Sequence, residues 1–164
     1  LFVFVIDGYT YFSISFKEGL VYVNYTLQNR SPLREFTIFF LIFYNLSSGS
    51  LHSTLSCMGG FMQPQGHVQL LIGMVAGGLD PQAAIDAPRF CLQDGTSGGL
   101  LALEDGVPAS VVEALRAKGH APLQVMKGHD RAVFGRAQII AKDPVTGALW
   151  GGSDGRGDGC AIGY

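Results

Sequence analysis

Apolar and polar positions along this chain change period several times, and the changes predict a mixed α+β fold. Residues 1–6 (LFVFVI) are continuously apolar and stop at Asp7-Gly8, the pattern of a buried strand. Residues 9–16 alternate loosely and predict a second strand, with Gly19 in the next turn and Leu20–Leu27 as a third. Gln28-Asn29-Arg30-Ser31-Pro32 is a polar break with turn chemistry. Phe36–Tyr44 is apolar and rich in β-formers, so it reads as a central strand or an aggregation-prone segment. Leu51–Met58 predicts a strand that delivers Gly59-Gly60 to a turn. The period then lengthens. Val68, Leu71, Ile72 and Val75 recur at spacings of three and four, a helix face over His67–Val75 that ends at Gly77-Gly78.

Asp80 is an N-cap with Pro81 in the first helical position, which predicts a short helix over Gln82–Asp86. Ala87-Pro88 ends it, and Arg89–Leu92 and Leu100–Leu103 read as strands. Pro108–Lys118 is the clearest amphipathic helix, with Val111, Val112 and Leu115 as its apolar stripe and Gly119 as its stop. Leu123–Met126, Ala137–Lys142 and Ala148–Gly151 predict strands, the last two joined by an Asp143-Pro144-Val145-Thr146-Gly147 hairpin turn. The tail GGSDGRGDGCAIGY is glycine-rich and turn-forming.

Composition divides the chain near residue 57. All 14 alanines lie from Ala76 onward, and only 3 of 23 glycines precede residue 57. Thirteen of the 17 Phe and Tyr residues fall in the first 46 positions. Either the two parts belong to different layers of the fold, or residues 9–50 include translated non-coding sequence. At 164 residues the chain is one domain's worth and can bury a real core. A net charge of −2 gives no electrostatic case for nucleic acid or an anionic membrane surface. The longest apolar run, Phe36–Leu46, is far below the roughly 20 residues a membrane-spanning helix needs. No signal peptide is visible at the start, LFVFVIDG. Cys57, Cys91 and Cys160 are an odd number without CxxC spacing, so buried free thiols are expected and a reducing compartment is slightly favoured.

Candidate chemistry is sparse. His52, His67, His120 and His129 lack metal-ligand spacing, and no cofactor motif is present. Asp154 and Asp158 lack the remaining ligands of a calcium loop, and Arg156-Gly157-Asp158 is a weak adhesion tripeptide. Met58-Gly59-Gly60 stands out. Glycines ahead of a helix leave main-chain N–H groups bare at the positive end of its dipole, where an anion or an oxyanion can sit. The alternative is a junction where glycine lets two backbones pack closely.

Four blocks carry a resemblance that local pattern does not. MGGFMQPQGHVQ, GLDPQAAIDAPRF, LALEDGVPASVVEALRAKGH and FGRAQII…GALWGGSDGRGDGCAIGY together resemble the end of the small subunit of the γ-glutamyltranspeptidase (glutathione hydrolase) family. The resemblance implies an N-terminal nucleophile hydrolase, an incomplete part of a four-layer αββα sandwich. It treats 1–164 as a single truncated small-subunit-like domain, with 57–164 matched and 1–56 divergent. It also implies hydrolysis or transfer of the γ-glutamyl group of glutathione and related amides, by a threonine freed at a new N-terminus. Gly59 and Gly60 fall on the family's oxyanion donors, and Asn29 and Arg30 where it places polar groups near the glutamyl moiety. The expected threonine falls just before Leu1, and the arginine for the substrate α-carboxylate belongs to a large-subunit-like partner chain. The chain alone is therefore expected to be inactive. Relatives of the same fold that act as acylases and a non-catalytic fragment are the alternatives.

Overall fold

The computed structural model describes residues 2–6, 9–16, 19–23, 40–45, 48–93 and 98–163. Its strands in chain order are β1 (Phe2–Ile6), β2 (Tyr9–Phe16), β3 (Gly19–Val23), β4 (Phe40–Tyr44) and β5 (Leu51–Met58). Two helices follow, α1 (Met62–Val75) and α2 (Pro81–Asp86), then β6 (Phe90–Leu92) and β7 (Leu101–Glu104). The last part holds α3 (Ala109–Ala117), β8 (Leu123–Met126), a 3-10 turn at Gly128–Phe134, β9 (Arg136–Lys142) and β10 (Leu149–Ser153). A second 3-10 turn spans Gly155–Gly157.

The strands form two sheets. One is seven-stranded and antiparallel throughout, in the order β1-β2-β3-β4-β5-β9-β10. The other has the order β6-β7-β8, with β7 and β8 parallel and joined through α3. Period-two alternation decides which face of the large sheet is covered. Leu41, Phe43, Leu55, Cys57, Ala137 and Ile139 are buried and pack against Leu70, Leu71, Ala84 and Ile85 of α1 and α2. Their strand neighbours Ile42, Met58 and Ile140 point to the other face and are exposed. Among the described residues, the large sheet thus carries helices on one face. A second core, around Met62, Cys91, Ala102, Met126 and Phe134, joins the start of α1 to the small sheet.

The described strands and the Asp143–Gly147 hairpin follow the apolar pattern closely. Asp80 caps α2 through its carboxylate, which accepts from Ala83 N–H at 2.8 Å. The ends of the predicted third and fourth strands, residues 24–27 and 36–39, lie outside the described residues. Three expectations need correction. First, α1 begins at Met62, five residues before the predicted start. Pro64 sits in the first turn, where a missing N–H costs no helical hydrogen bond. Second, only Leu71 of the predicted stripe of α1 lies on its buried face: Val68, Ile72 and Val75 are 40%, 49% and 45% exposed. The helix buries Met62, Gln63, Gly66, His67, Leu70 and Leu71. Polar Gln63 and His67 sit on the inward side, so hydropathy alone misplaces the face. In α3 likewise, Val112 is buried while Val111 is exposed. Third, Cys57 and Cys91 are buried free thiols but Cys160 is exposed.

Candidate oxyanion turn and the ion network behind it

β5 ends by reversing into α1 through Gly59 and Gly60, whose φ angles are +153° and +59°. Both values lie where a side chain is strained, so the turn demands glycine. Their carbonyls are engaged: Gly59 accepts from Met62 N–H at 3.0 Å and Gly60 from Gln63 N–H at 3.1 Å. Among the described residues, neither Gly59 nor Gly60 N–H has an acceptor. Both residues are exposed, and they stand just ahead of a 14-residue helix. That is the arrangement an anion or a developing oxyanion needs.

Backbones pack closely beneath the turn. A Cβ on Gly59 would lie 3.0 Å from Gly135 Cα and 3.1 Å from Met62 Cβ. A Cβ on Gly135 would collide with the Met58 carbonyl oxygen, and one on Gly66 would stand 2.6 Å from Cys57 Sγ. Close packing therefore accounts for Gly59, whereas Gly60 has nothing within 4 Å of its missing Cβ. His67 completes the support. Its Nε2 accepts from the Cys57 main-chain N–H at 2.9 Å, and burial lowers its pKa to about 4. This histidine is a neutral core residue. Cys57 and His67 do not form a nucleophile–base pair, because the thiol is pushed up to about 11, chiefly by burial.

A buried ion network holds Gly135 in place. Arg89 pairs with Asp154 at 2.9 Å, and its guanidinium also donates to the carbonyls of Phe134 at 3.1 Å and Ile85 at 3.0 Å. Arg156 pairs with Glu104 at 2.6 Å and Asp154 at 3.1 Å, and Arg131 reaches Glu104 at 2.5 Å. Asp154 in turn accepts from Ala137 N–H at 2.8 Å, and Glu104 from Arg89 N–H at 2.8 Å. Burial acts to raise the pKa of Glu104, but hydrogen bonds from Arg156, Arg131 and Arg89 N–H outweigh it and hold the carboxyl low. Asp154 is lowered too: burial opposes, while Arg89 and the N–H groups of Arg156 and Ala137 prevail. The network ties α2, the small sheet, the Gly128–Phe134 turn and β9 into one support.

The predicted residues separate accordingly. Gly59 and Gly60 stand together at the turn, whereas Asn29 and Arg30 lie outside the described residues. Asp154 and Arg156 serve the buried network, so Arg156 is not displayed as part of an adhesion tripeptide. No group of three or more metal-ligating side chains occurs among the described residues. No described helix is long and apolar enough to cross a membrane. Sequence reasoning missed Arg89, Glu104 and Gly135. The only signals for them were an arginine inside an apolar APRF run and a glycine between Phe134 and Arg136.

A seven-stranded sheet with helices on one face is one sheet and one helix layer of an αββα sandwich, and the fold is that of the N-terminal nucleophile hydrolases, incomplete here. Within that class the chain belongs to the γ-glutamyltranspeptidase family: residues 36–164 match the family model described as Gamma-glutamyltranspeptidase. It is 30% identical over 117 residues to the acylase ACY 1 proenzyme of Pseudomonas sp. (strain V22), covering 71% of this chain and 19% of that protein. It is 34% identical over 109 residues to the glutathione hydrolase-like YwrD proenzyme of Bacillus subtilis (strain 168), covering 64% and 20%. The chain thus spans about a fifth of the length of these curated relatives. Among solved structures, the cephalosporin acylase of Bacillus halodurans superposes with a TM-score of 0.63 at 38% identity, covering 73% of this chain and 21% of that one. The γ-glutamyltranspeptidase of Pseudomonas nitroreducens gives 0.65 at 20% identity, covering 86% and 68%, a likeness of fold alone.

Proposed function

We propose that this chain supplies the oxyanion-binding turn of an amide hydrolase or transferase acting on γ-glutamyl amides of the glutathione type. The observation that carries this reading is the pair of bare N–H donors on Gly59 and Gly60 at the start of α1. In the proposed reaction a hydroxyl adds to the γ-carbonyl, and its oxygen takes up negative charge between those donors. Collapse expels the amine, which carries away the proton taken from the hydroxyl, and leaves an ester. Water or a second amine then releases the glutamyl group.

Among the described residues, no hydroxyl or thiol beside the turn is paired with a base. From membership of the γ-glutamyltranspeptidase family we assign the attack to an N-terminal threonine outside the described residues, activated by its own α-amino group. Asn29 and Arg30 are proposed contacts for the glutamyl moiety, and a large-subunit-like chain would hold the substrate α-carboxylate. On this reading the 164 residues alone release no product from a γ-glutamyl anilide, and the complete protein containing them does. Turnover by the isolated chain would sink the division of labour. No turnover by the complete protein would sink the substrate assignment.

A second reading has its own support, the 38% identity to a cephalosporin acylase. It places an acyl chain other than glutamyl in the same site. Faster release from an N-acyl cephalosporin amine than from the γ-glutamyl anilide would select it.

A further inference from the structure

Five arginines lie among the described residues, and four of them are paired with carboxylates. Arg89, Arg131 and Arg156 belong to the buried network, and Arg116 pairs with Glu113 on α3. Arg136 is the fifth. It has neither an ion pair nor a side-chain hydrogen bond among the described residues. Its exposed side chain passes over Gly157. A Cβ on Gly157 would lie 2.5 Å from Arg136 Cδ and 2.9 Å from its Nε, so the stem lies flat on that glycine's backbone. Arg136 lines a polar cleft of about 690 Å³ together with His129, Arg131 and Asp158. Glu104 and Asp154 behind the cleft are already spent on Arg89, Arg131 and Arg156. Asp158, the one carboxylate on the wall itself, makes no ion pair with Arg136.

The position matters as much as the charge. Arg136 is the register partner of Met58, the residue immediately before Gly59. It projects from the open face of the large sheet, one strand over from the oxyanion turn. Adjacent strands are about 4.8 Å apart, and an extended chain covers about 3.5 Å per residue. A carboxylate one or two residues beyond a carbonyl held at Gly59-Gly60 therefore falls within reach of this guanidinium. An unpaired arginine suits a carboxylate because its planar fork can donate two parallel hydrogen bonds.

We propose that the cleft around Arg136 recognises a free carboxylate on the amine portion of the substrate amide, the part that departs when the acyl group is transferred. The inference rests on the γ-glutamyl amide reading for its chemistry, but the anion site can be tested apart from it. N-acetylglycine and N-acetylglycinamide differ only in that carboxylate, and their binding to this chain can be followed by NMR titration. The acid should bind about tenfold more tightly than the amide, the size of one charge-assisted hydrogen-bonded pair. Arg136→Gln should erase the preference, and Arg136→Lys should restore part of it, with folding of both variants checked by the dispersion of the same spectra. In the complete protein, kcat/KM for γ-glutamylglycine over γ-glutamylglycinamide should show the same preference, and Arg136→Gln should collapse that ratio towards one. Equal binding of acid and amide by the unmodified chain, or a preference that survives Arg136→Gln, overturns the proposal. Carboxylate selectivity at Arg136 without turnover of any γ-glutamyl amide upholds the anion site and overturns the substrate reading instead.

Discussion

Gly135 lies directly beneath Gly59: a Cβ on either residue would press into the backbone of the other's segment. On Gly59 it would stand 3.0 Å from Gly135 Cα, and on Gly135 it would strike the Met58 carbonyl. Gly60, the second donor, has nothing within 4 Å of its missing Cβ. Gly60 and Gly135 therefore tolerate change differently. Gly60→Ala should fold with a loss of about 1 kcal/mol, the strain of a side chain at positive φ. Gly135→Ala meets both the strain and the Met58 carbonyl and should cost more than about 2 kcal/mol. Urea unfolding of both variants checks the order, and equal losses would mean that the turn does not rest on Gly135.

Glu104 is the acid shared by Arg131 and Arg156, and it also accepts from Arg89 N–H. Glu104→Gln removes the charge and leaves buried Arg156 with only Asp154 for a counter-ion. Breaking one side of a buried pair costs about 3–5 kcal/mol. Arg131→Ala should cost far less, because its side chain is 40% exposed and an exposed pair is worth under about 1 kcal/mol. The folded pKa values of Glu104 and Asp154 are both depressed. Their contribution is present above the ordinary carboxylate range and is lost as pH falls through the depressed values. Below about pH 4 the wild type should lose stability steeply, and Glu104→Gln less so. Thermal melts across pH 2–6 measure both slopes.

The strands, the hairpin and the α2 cap were legible because each is written locally, in period-two runs, DPVTG and Asp80-Pro81. The buried face of α1 was not. Its inward side includes polar Gln63 and His67, and the His67 ring accepts from Cys57 N–H of β5, a partner that hydropathy does not reveal. The Gly59-Gly60 turn was visible in the sequence, but the packing of Gly135 beneath Gly59 was not, because the two lie 76 residues apart. The ion network was invisible because its members come from β7, β10's end and three loops. Spacing along the chain carries no trace of a cluster assembled across 67 residues, from Arg89 to Arg156.

His67 offers a separate pH signature. Its ring accepts the Cys57 N–H and is kept neutral by burial, with a folded pKa of about 4 against 6.5 when exposed. Between those values the unfolded chain binds more protons, so stability rises with pH across the window from about 4 to 6.5. The full effect is of order 3 kcal/mol. His67→Gln should flatten the stability profile in that window while lowering stability at pH 7 through the lost acceptor. Chemical denaturation at half-unit pH steps distinguishes the two. A slope unchanged in the variant would assign it to other groups.

Two glutamines of α1 seal the edge of the small sheet. Gln65 accepts from Leu92 N–H at 2.8 Å and donates to Leu92 C=O at 3.1 Å. Gln69 does the same for Phe90, at 2.9 Å and 3.0 Å. The match is geometric: four helical residues rise about 6.0 Å, and two strand residues about 6.6 Å. A side-chain amide has both a donor and an acceptor, so each glutamine stands in for one residue of a missing neighbour strand. This covers an edge that would otherwise invite pairing with another chain. Gln65→Leu should leave both Leu92 main-chain groups unsatisfied, at about 1–3 kcal/mol for each one that stays buried. The Leu92 amide should then exchange its hydrogen much faster, while the Phe90 amide, still held by Gln69, changes less. Hydrogen exchange that accelerates equally at Phe90 and Leu92 would show that the helix, not the individual glutamines, protects the edge.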